Sequence, residues 1–340
     1  MKTPLFIIKY TRYEYWPWLL FYLPVLPYWL YLAIKNRSLA YFTVANPRIE
    51  LGGFYGESKS DILNLIDAQY LPQSIEVEGL AVNDILTQLQ LHGITYPFIA
   101  KPDVGERGND VMKINNEKEL RNYNSQSKSK YLIQEFITYD IELGVLYSRM
   151  PNSETGQVTS VTLKEFLSVT GDGKATIKEL MQESIRARFQ IERLSKEKGG
   201  ELNIVLNKGE KRLLEPIGNH CRGTRFIDNN FLINDKLNRV FDKICLPIDG
   251  FYYGRFDLKV KSVEDLYEGK HIKIMELNGA SSEPGHIYDS SNTLFKAYKD
   301  LLYHWKRLAD VSKENMTKGF KPVPFSLIVK SYVKFVLLKK

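Results

Sequence analysis

Short apolar runs alternate with stretches of helical spacing through the middle of the chain. Phe98–Lys101, Lys130–Phe136, Leu143–Tyr147, Leu202–Leu206, Phe251–Val260 and His271–Leu277 predict strands. Helical patterns around 58–68, 82–92, 176–196 and 292–311 predict helices between them. Mixed strands and helices point to an α/β or α+β architecture of the kind enzymes use. No repeat at solenoid periods and no long low-complexity run breaks the pattern. At 340 residues the chain is long enough for two or three subdomains.

The two ends differ from the middle. Residues 16–34, WPWLLFYLPVLPYWLYLAI, carry no charge over 19 positions, which raises the question of a membrane span. Pro24 and Pro27 lie inside this stretch and would break or kink a helix. Trp16, Trp18, Tyr28 and Trp29 sit toward its ends, where a bilayer interface favours amphipathic rings. No small-residue cleavage site follows, so it does not read as a signal peptide. Three arrangements fit: an interfacial or re-entrant anchor, a true span, and an apolar flap packed on the protein itself. Lys9 and Arg12 precede it and Lys35 and Arg37 follow it, so charge bias gives no orientation. Residues 325–340, FSLIVKSYVKFVLLKK, put Lys330 and Lys334 on one helical face with Ser326 and Ser331 near them. This reads as a basic amphipathic helix on a membrane, and equally as a terminal helix docked on its own domain.

Charge sharpens this picture. The net charge of +7 divides into +4 over residues 1–50, +6 over 318–340 and −3 over the rest. Positive charge beside the most apolar segments suits an anionic membrane surface better than nucleic acid. Hydrophobic residues at 44% and charged residues at 26% exclude a largely disordered chain. Two cysteines, Cys221 and Cys245, exclude a disulfide framework and a cysteine-rich zinc cluster, and make a reducing compartment the default. Five histidines without HExxH spacing argue against a zinc hydrolase.

The chemistry concentrates at 254–278. In Gly254-Arg255-Phe256-Asp257-Leu258, strand alternation puts Arg255 and Asp257 on one face and Phe256 and Leu258 on the other. In Ile274-Met275-Glu276-Leu277-Asn278, Glu276 and Asn278 share a face. If the two strands pair, Asp257, Glu276 and Asn278 converge. Two carboxylates and an amide oxygen are hard ligands suited to Mg2+, which also takes phosphate oxygens. In isolation the same residues read as a solvated polar face with an Arg–Asp ion pair.

They are not isolated. PFIAKPDVGERGNDVM (97–112), QEFITYDIELGV (134–145) and GRFDLKV…IMELNGASSEPGHIYD (254–289) follow one another in an order and spacing that resemble the ATP-grasp superfamily. Within it the sequence resembles the D-alanine–D-alanine ligase branch, over roughly residues 55–290. Gly171-Asp172-Gly173-Lys174-Ala175-Thr176-Ile177 is similar to a segment of cyanophycin synthetase-like members. The resemblance implies an α+β, ATP-grasp fold, with two α+β subdomains clasping a nucleotide after a short apolar N-terminal region. The expected divisions are an apolar basic segment over 1–50, a short subdomain over 51–95, the ATP-grasp domain over 96–312 and a basic tail over 313–340.

The resemblance also implies roles. Lys101 pairs with nucleotide phosphates as a point charge. Lys59 matches the upstream phosphate lysine by distance, and reads almost equally as a surface lysine at a helix start. Gly105 and Gly108 let a loop bring backbone N–H groups to phosphate. Glu106 and Arg107 stand there in place of the family's usual serines. Glu135, Phe136 and Ile137 form the adenine hinge, and Glu142 takes the ribose hydroxyls. Arg255 stabilises charge on the substrate carboxylate and phosphoryl group. Asp257, Glu276 and Asn278 hold Mg2+, with Mn2+ able to substitute.

A second cluster, Asn219-His220-Cys221-Arg222-Gly223-Thr224-Arg225, gathers cationic groups in an otherwise slightly acidic domain. His220, Arg222 and Arg225 fit a γ-phosphate or an anionic substrate, or a solvated basic turn. Ser281, Ser282, Glu283 and His286 depart from the D-alanine–D-alanine ligase pattern, so D-alanine is not carried over as substrate. The usual N-terminal substrate-holding domain is expected to be truncated or remodelled.

The expected activity is an ADP-forming, ATP-dependent carboxylate–amine ligase working through an acyl phosphate. Its substrates would be a small-molecule acid and amine, with membrane-associated or cell-envelope substrates in view. Alternatives are a kinase-like phosphotransferase and a non-catalytic ATP-binding, membrane-associated protein. ATP and Mg2+ are the expected cofactors, and no nucleic acid is expected as partner. Peripheral membrane contact and a homodimer stay open, and the expected location is the cytoplasm or the inner face of the cytoplasmic membrane.

Overall fold

The N-terminal stretch is helical but not continuous. α1 (Leu5–Thr11) is followed by α2 (Trp18–Tyr22) and α3 (Leu26–Lys35), with a 3₁₀ turn over Leu23–Val25 between the last two. Pro24 and Pro27 fall in the first turns of the 3₁₀ segment and of α3, where a missing N–H costs little. The structure is a computed structural model that describes residues 2–105 and 108–338. Glu106, Arg107 and the side chains of Ser331 and Lys334 lie outside the described residues. One side of α2 and α3 packs on the protein. Phe21 and Val25 join Ile287, Ala297 and Leu301, and Leu32 and Ala33 join Tyr41, Leu308 and Ala309.

The first sheet is built from residues 74–135. α4 (Lys59–Leu63), capped by Ser58 through a 3.1 Å bond from the Asp61 N–H, precedes it. β1 (Ser74–Val77), β2 (Phe98–Pro102), β3 (Met112–Ile114) and β4 (Tyr131–Glu135) pair antiparallel in the order β1-β4-β2-β3. α5 (Val82–Leu91) and α6 (Glu117–Gln126) bury Ile85, Leu89 and Leu120 against Phe98, Ala100, Ile114 and Ile133. β1 and α5 therefore belong with β2–β4, and the expected boundary between 95 and 96 falls inside one unit. The predicted helix over 58–68 is shorter, ending at Leu63 before a 3₁₀ turn over Ala68–Tyr70.

The second sheet carries the larger core. β5 (Ile141–Ser148), β6 (Gln157–Glu165), β9 (Arg225–Asp228), β10 (Tyr253–Val260) and β11 (Ile272–Asn278) run antiparallel in the order β11-β10-β5-β6-β9. Phe256 and Leu258 meet Phe241 and Ile244 of α10 (Asp235–Cys245) beneath it. Between β6 and β9, β7 (Ser168–Thr170) and β8 (Lys211–Leu213) make a small ribbon. It carries α7 (Ile177–Glu183), α8 (Ile185–Arg188) and α9 (Ile191–Lys198). The single helix expected over 176–196 is thus divided. Ser184 takes an extended backbone and accepts the Ala187 N–H as the cap of α8. The strand expected over Leu202–Leu206 is a 3₁₀ turn at Glu201–Asn203, with one isolated bridge from Val205 to Thr176. Leu202 and Leu206 are apolar because they pack under the helices of this ribbon.

α11 (Val263–Glu268) joins β10 to β11. α12 (Leu294–Thr317) then crosses the molecule, so a tail beginning at 313 is not a separate element. α13 (Phe325–Leu338) follows and docks by Ile328. The whole is α+β, with two antiparallel sheets joined by the segment 136–140.

Candidate active site

Register brings the predicted polar side chains together. β10 pairs with β11 so that Asp257 faces Glu276 and Arg255 faces Asn278. β10 also pairs with β5, setting Lys259 opposite Glu142 and Asp257 opposite Gly144. Gly144 leaves room for the cluster: a Cβ there would lie 3.3 Å from Asp257 Oδ1 and 3.4 Å from Arg255 Cδ. The loop after β11 is latched from the N-terminal side, where the Ala280 N–H donates to Gly52 O at 2.9 Å. Gly53 has φ +78°, and a Cβ on it would stand 2.7 Å from Gly279 Cα.

The acidic residues are neutralised by fixed cations. Arg255 Nε donates to Asp257 Oδ1 at 3.0 Å, and its Nη2 to Oδ2 at 3.3 Å. Lys164 Nζ, from β6, lies 3.3 Å from Asp257 Oδ2 and 3.2 Å from Glu142 Oε1, and all three side chains are buried. Burial pushes the Asp257 carboxyl up, but Arg255 and Lys164 outweigh it and hold it below the usual range. Burial likewise pushes Lys164 down, and Asp257 and Glu142 more than reverse that.

The donor set suits a hard divalent ion. Asp257 and Glu276 supply carboxylate oxygens and Asn278 an amide oxygen. Asn278 Nδ2 is buried with no hydrogen-bond partner among the described residues, a donor that a phosphate or water oxygen beside the ion would satisfy. No group of three or more His, Cys, Asp or Glu among the described residues forms a closed metal site. Two carboxylates and an amide instead leave positions for water and phosphate oxygens, as Mg2+ or Mn2+ requires.

Lys101 links the two sheets. From β2 it donates to Met275 O of β11 at 2.8 Å and to Gln134 Oε1 at 3.1 Å. Burial lowers its ammonium to about 8, against the raising influence of Glu276 and with a further lowering from Lys59. Lys59 reaches the glycine loop, donating to Gly105 O at 2.6 Å. Gly108 has φ +70°, and its carbonyl accepts Arg222 Nη2 at 2.8 Å.

The segment from β4 to β5 is held by lysines. Lys259 Nζ donates to Ile137 O at 2.9 Å, and Lys113 Nζ lies 4.1 Å from the centre of the Phe136 ring. The Glu135 side chain accepts the Gln73 N–H at 3.2 Å and its own N–H donates to Gln73 O at 2.8 Å, so both are engaged with the segment before β1. Glu142 points at Lys164 and is covered by Gly218, where any Cβ would overlap its Oε1.

The second cluster divides. The His220 ring lies 5.4 Å from the Tyr288 ring. Burial lowers His220 to about 3, with Arg186 adding to the effect, so its imidazole is neutral. Arg222 bridges the glycine loop to Glu215. Arg225 lies at the sheet edge, 3.6 Å from Glu165, and makes no contact with the Asp257 cluster.

Sequence reasoning did not single out Lys164. The signal was present as alternation: Ser160, Thr162 and Lys164 are buried polar residues on a strand whose other face carries Val161 and Leu163. It also did not foresee the wall made by Glu283. Tyr288 Oη donates to Glu283 Oε2 at 2.9 Å, Tyr22 of α2 donates to Oε1, and Arg255 Nη1 donates to Glu283 O at 3.2 Å. Burial raises the Glu283 carboxyl to about 7, against the lowering from Tyr288.

No protein-family model and no curated protein matches the chain. Among solved structures the chain is similar to D-alanine–D-alanine ligase from Bacillus anthracis. That match has 16% identity and a TM-score of 0.39, over 76% of this chain and 66% of that one. It is also similar to VanG D-Ala:D-Ser ligase from Enterococcus faecalis, at 12% identity and TM-score 0.39, over 71% and 57% of the two chains. A bifunctional glutathione synthetase from Pasteurella multocida matches at 14% identity and TM-score 0.36, over 72% of this chain and 35% of its own. The chain thus spans between a third and two thirds of the length of these structures. What the site does follows from its own residues.

Proposed function

We propose that the chain is an ADP-forming, ATP-dependent carboxylate–amine ligase that works through an acyl phosphate. The observation that supports this best is the β10–β11 register, with Asp257 opposite Glu276 and Arg255 opposite Asn278. Lys101 approaches the same strand from the other sheet. ATP would lie between the sheets, its adenine edge on the backbone of Glu135, Phe136 and Ile137. Its ribose hydroxyls would meet Glu142, whose two oxygens match two donors. Lys101 and Lys164 face the phosphates as point charges, and Lys59, Gly105, Gly108 and Arg222 close over them. Asp257, Glu276 and Asn278 would hold Mg2+ or Mn2+, which neutralises phosphate charge when bound.

The chain mainly positions and neutralises. Arg255 orients the substrate carboxylate, one oxygen of which attacks the γ-phosphorus while the bond to ADP breaks. The amine then attacks the acyl carbon, and phosphate leaves with the electrons of the C–O bond. Glu283, desolvated beside Arg255, suits the uptake of a proton from the incoming ammonium group.

The test is ADP release with ATP, Mg2+ and a panel of amino acids, peptides and other small carboxylic acids, with hydroxylamine added to trap the acyl phosphate as a hydroxamate. Hydroxamate is expected with at least one acid. Tight ATP binding with no ADP release across the panel overturns the reading, and a stable phosphorylated product identifies a phosphotransferase instead. Glu283→Gln is expected to keep hydroxamate formation, because hydroxylamine is largely neutral near pH 7. It is expected to slow amide formation about 10²-fold.

Lys101 makes a further prediction. With an ammonium near 8, the empty site sheds this proton as pH rises from 7 to 9, so ATP affinity falls over that range. Calorimetry in buffers of different ionisation enthalpy would register proton uptake on binding near pH 8. Lys101→Met should remove both the uptake and the pH dependence.

A further inference from the structure

The outer face of the N-terminal helices is bare and apolar. Trp18 is 65% exposed, Leu23 57%, Tyr31 55% and Ile34 76%, although Phe21, Val25, Leu32 and Ala33 of the same stretch are buried on the protein. The fold brings the other end of the chain beside it. Ile328 of α13 packs in the same cluster as Leu32 and Ala33, its carbonyl accepts Tyr55 Oη at 2.6 Å, and Leu327 and Val329 stay about half exposed at 50% and 47%. Two segments nearly 300 residues apart thus contribute adjacent apolar surface.

Charge decides what covers this surface. Lys9, Arg12, Lys35 and Arg37 flank α2 and α3 along the chain, Lys321 precedes α13 and Lys330 lies in it, and all six are exposed. Across residues 1–49 and 318–338 the one acidic residue is Glu14, which is buried and paired with Arg186. Within these two segments no carboxylate is exposed, and Asp310 of α12, which lies near Tyr28, is itself paired with Lys306 at 2.6 Å, so the balance of charge is positive. A second copy meeting it face to face would set like charges together. An anionic lipid surface accepts both the apolar side chains and the flanking cations.

We infer that α2, α3 and α13 form one docking face for an anionic bilayer, lying in the plane of its interface rather than crossing it. The stretch Trp18–Lys35 is long and apolar enough to cross. Crossing would strip off contacts the protein already makes, including the Tyr298 Oη bond to Phe21 O at 2.9 Å and the stacking of Tyr22 on Trp305. The exposed Trp18 and Tyr31 rings suit the headgroup level. Tyr22, on the inner side of the same segment, bonds Glu283 in the candidate site. Docking by this face would bring that wall of the site to the bilayer surface.

The test is flotation of the full chain with vesicles of phosphatidylcholine alone and of phosphatidylcholine mixed with phosphatidylglycerol, at low and high salt. Preference for the anionic vesicles by about tenfold or more, weakened by salt, is expected. Leu30→Glu with Ile34→Glu should abolish flotation, and Lys35→Glu with Lys330→Glu should weaken it. All four side chains are exposed, and an unchanged melting temperature verifies folding. Absence of flotation at low salt overturns the inference. So does a concentration-dependent dimer without lipid that Ile34→Glu dissociates, which would make the face a contact between copies. Retention in the membrane after alkaline extraction would mark a span and overturn the in-plane arrangement. None of these readouts depends on turnover, so failure here leaves the ligase reading standing.

Discussion

Asp257→Asn is expected to abolish the extra thermal stabilisation that Mg2+ adds to that of ATP. A ligand held at a hundred times its dissociation constant stabilises by about 2.7 kcal/mol, a rise of several degrees for a chain of this size. Asn keeps the shape of Asp257 but removes the charge that a divalent ion needs. Asp257 stands opposite Glu276 in the register, so the loss falls at the centre of the donor set. The variant also leaves Lys164 with Glu142 as its one paired carboxylate and Arg255 with the Glu283 carbonyl but no carboxylate, so the empty site becomes more positive. Metal-free ATP is therefore expected to bind at least as well as before, while the added effect of Mg2+ disappears. Differential scanning fluorimetry with ATP, Mg2+, both and neither separates the two, and turnover, once a substrate pair is known, should fall about 10³-fold. An undiminished Mg2+-dependent shift in Asp257→Asn would place the metal elsewhere.

Lys164→Met is expected to destabilise the empty protein by about 3–5 kcal/mol at pH 8. Lys164 is buried between Glu142 and Asp257. Removing one member of a buried charged group strands the others, which costs far more than the group contributes when intact. The pH dependence follows from the sign of the shifts. Asp257 is held low in the unaltered protein, so its contribution is present above its unfolded value near 3.9 and lost as pH falls through its lower folded value. Lys164 is raised, so its contribution is complete below its unfolded value near 10.4 and is lost above its folded one, outside the neutral range. Without Lys164, Asp257 loses part of what keeps it ionised. The deficit of the variant is then largest at neutral and alkaline pH and shrinks toward pH 4. Urea unfolding at pH 5 and pH 8 measures this, and a variant as stable as the unaltered protein at pH 8 would refute the buried triad.

Much of the fold was legible because its strands announce themselves locally. Phe98–Lys101, Leu143–Tyr147 and His271–Leu277 are apolar runs bounded by turn residues, and each lies within or nearly matches a strand of the structure. The face shared by Arg255 and Asp257 followed from period-two alternation alone. Where local reading failed, a tertiary demand had won. Leu202–Leu206 looks like a strand but packs as a turn under short helices, and the helix expected over 176–196 divides where Ser184 caps a new turn. β1 and α5 look separate along the chain, yet β1 pairs with β4 some 55 residues later.

The chain's own order of residues determined which atoms are available: three hard oxygen donors late in the chain, a lysine before Pro102, and cations crowded at both apolar ends. It did so because alternation and charge act over a few residues and need no partner. Only the tertiary structure decided that Lys164 neutralises Asp257, that Glu283 is desolvated between Tyr22 and Tyr288, and that the two ends share one surface. Each of these depends on pairing or packing between distant segments. Distance along the chain carries no information about which segments meet once the core has formed.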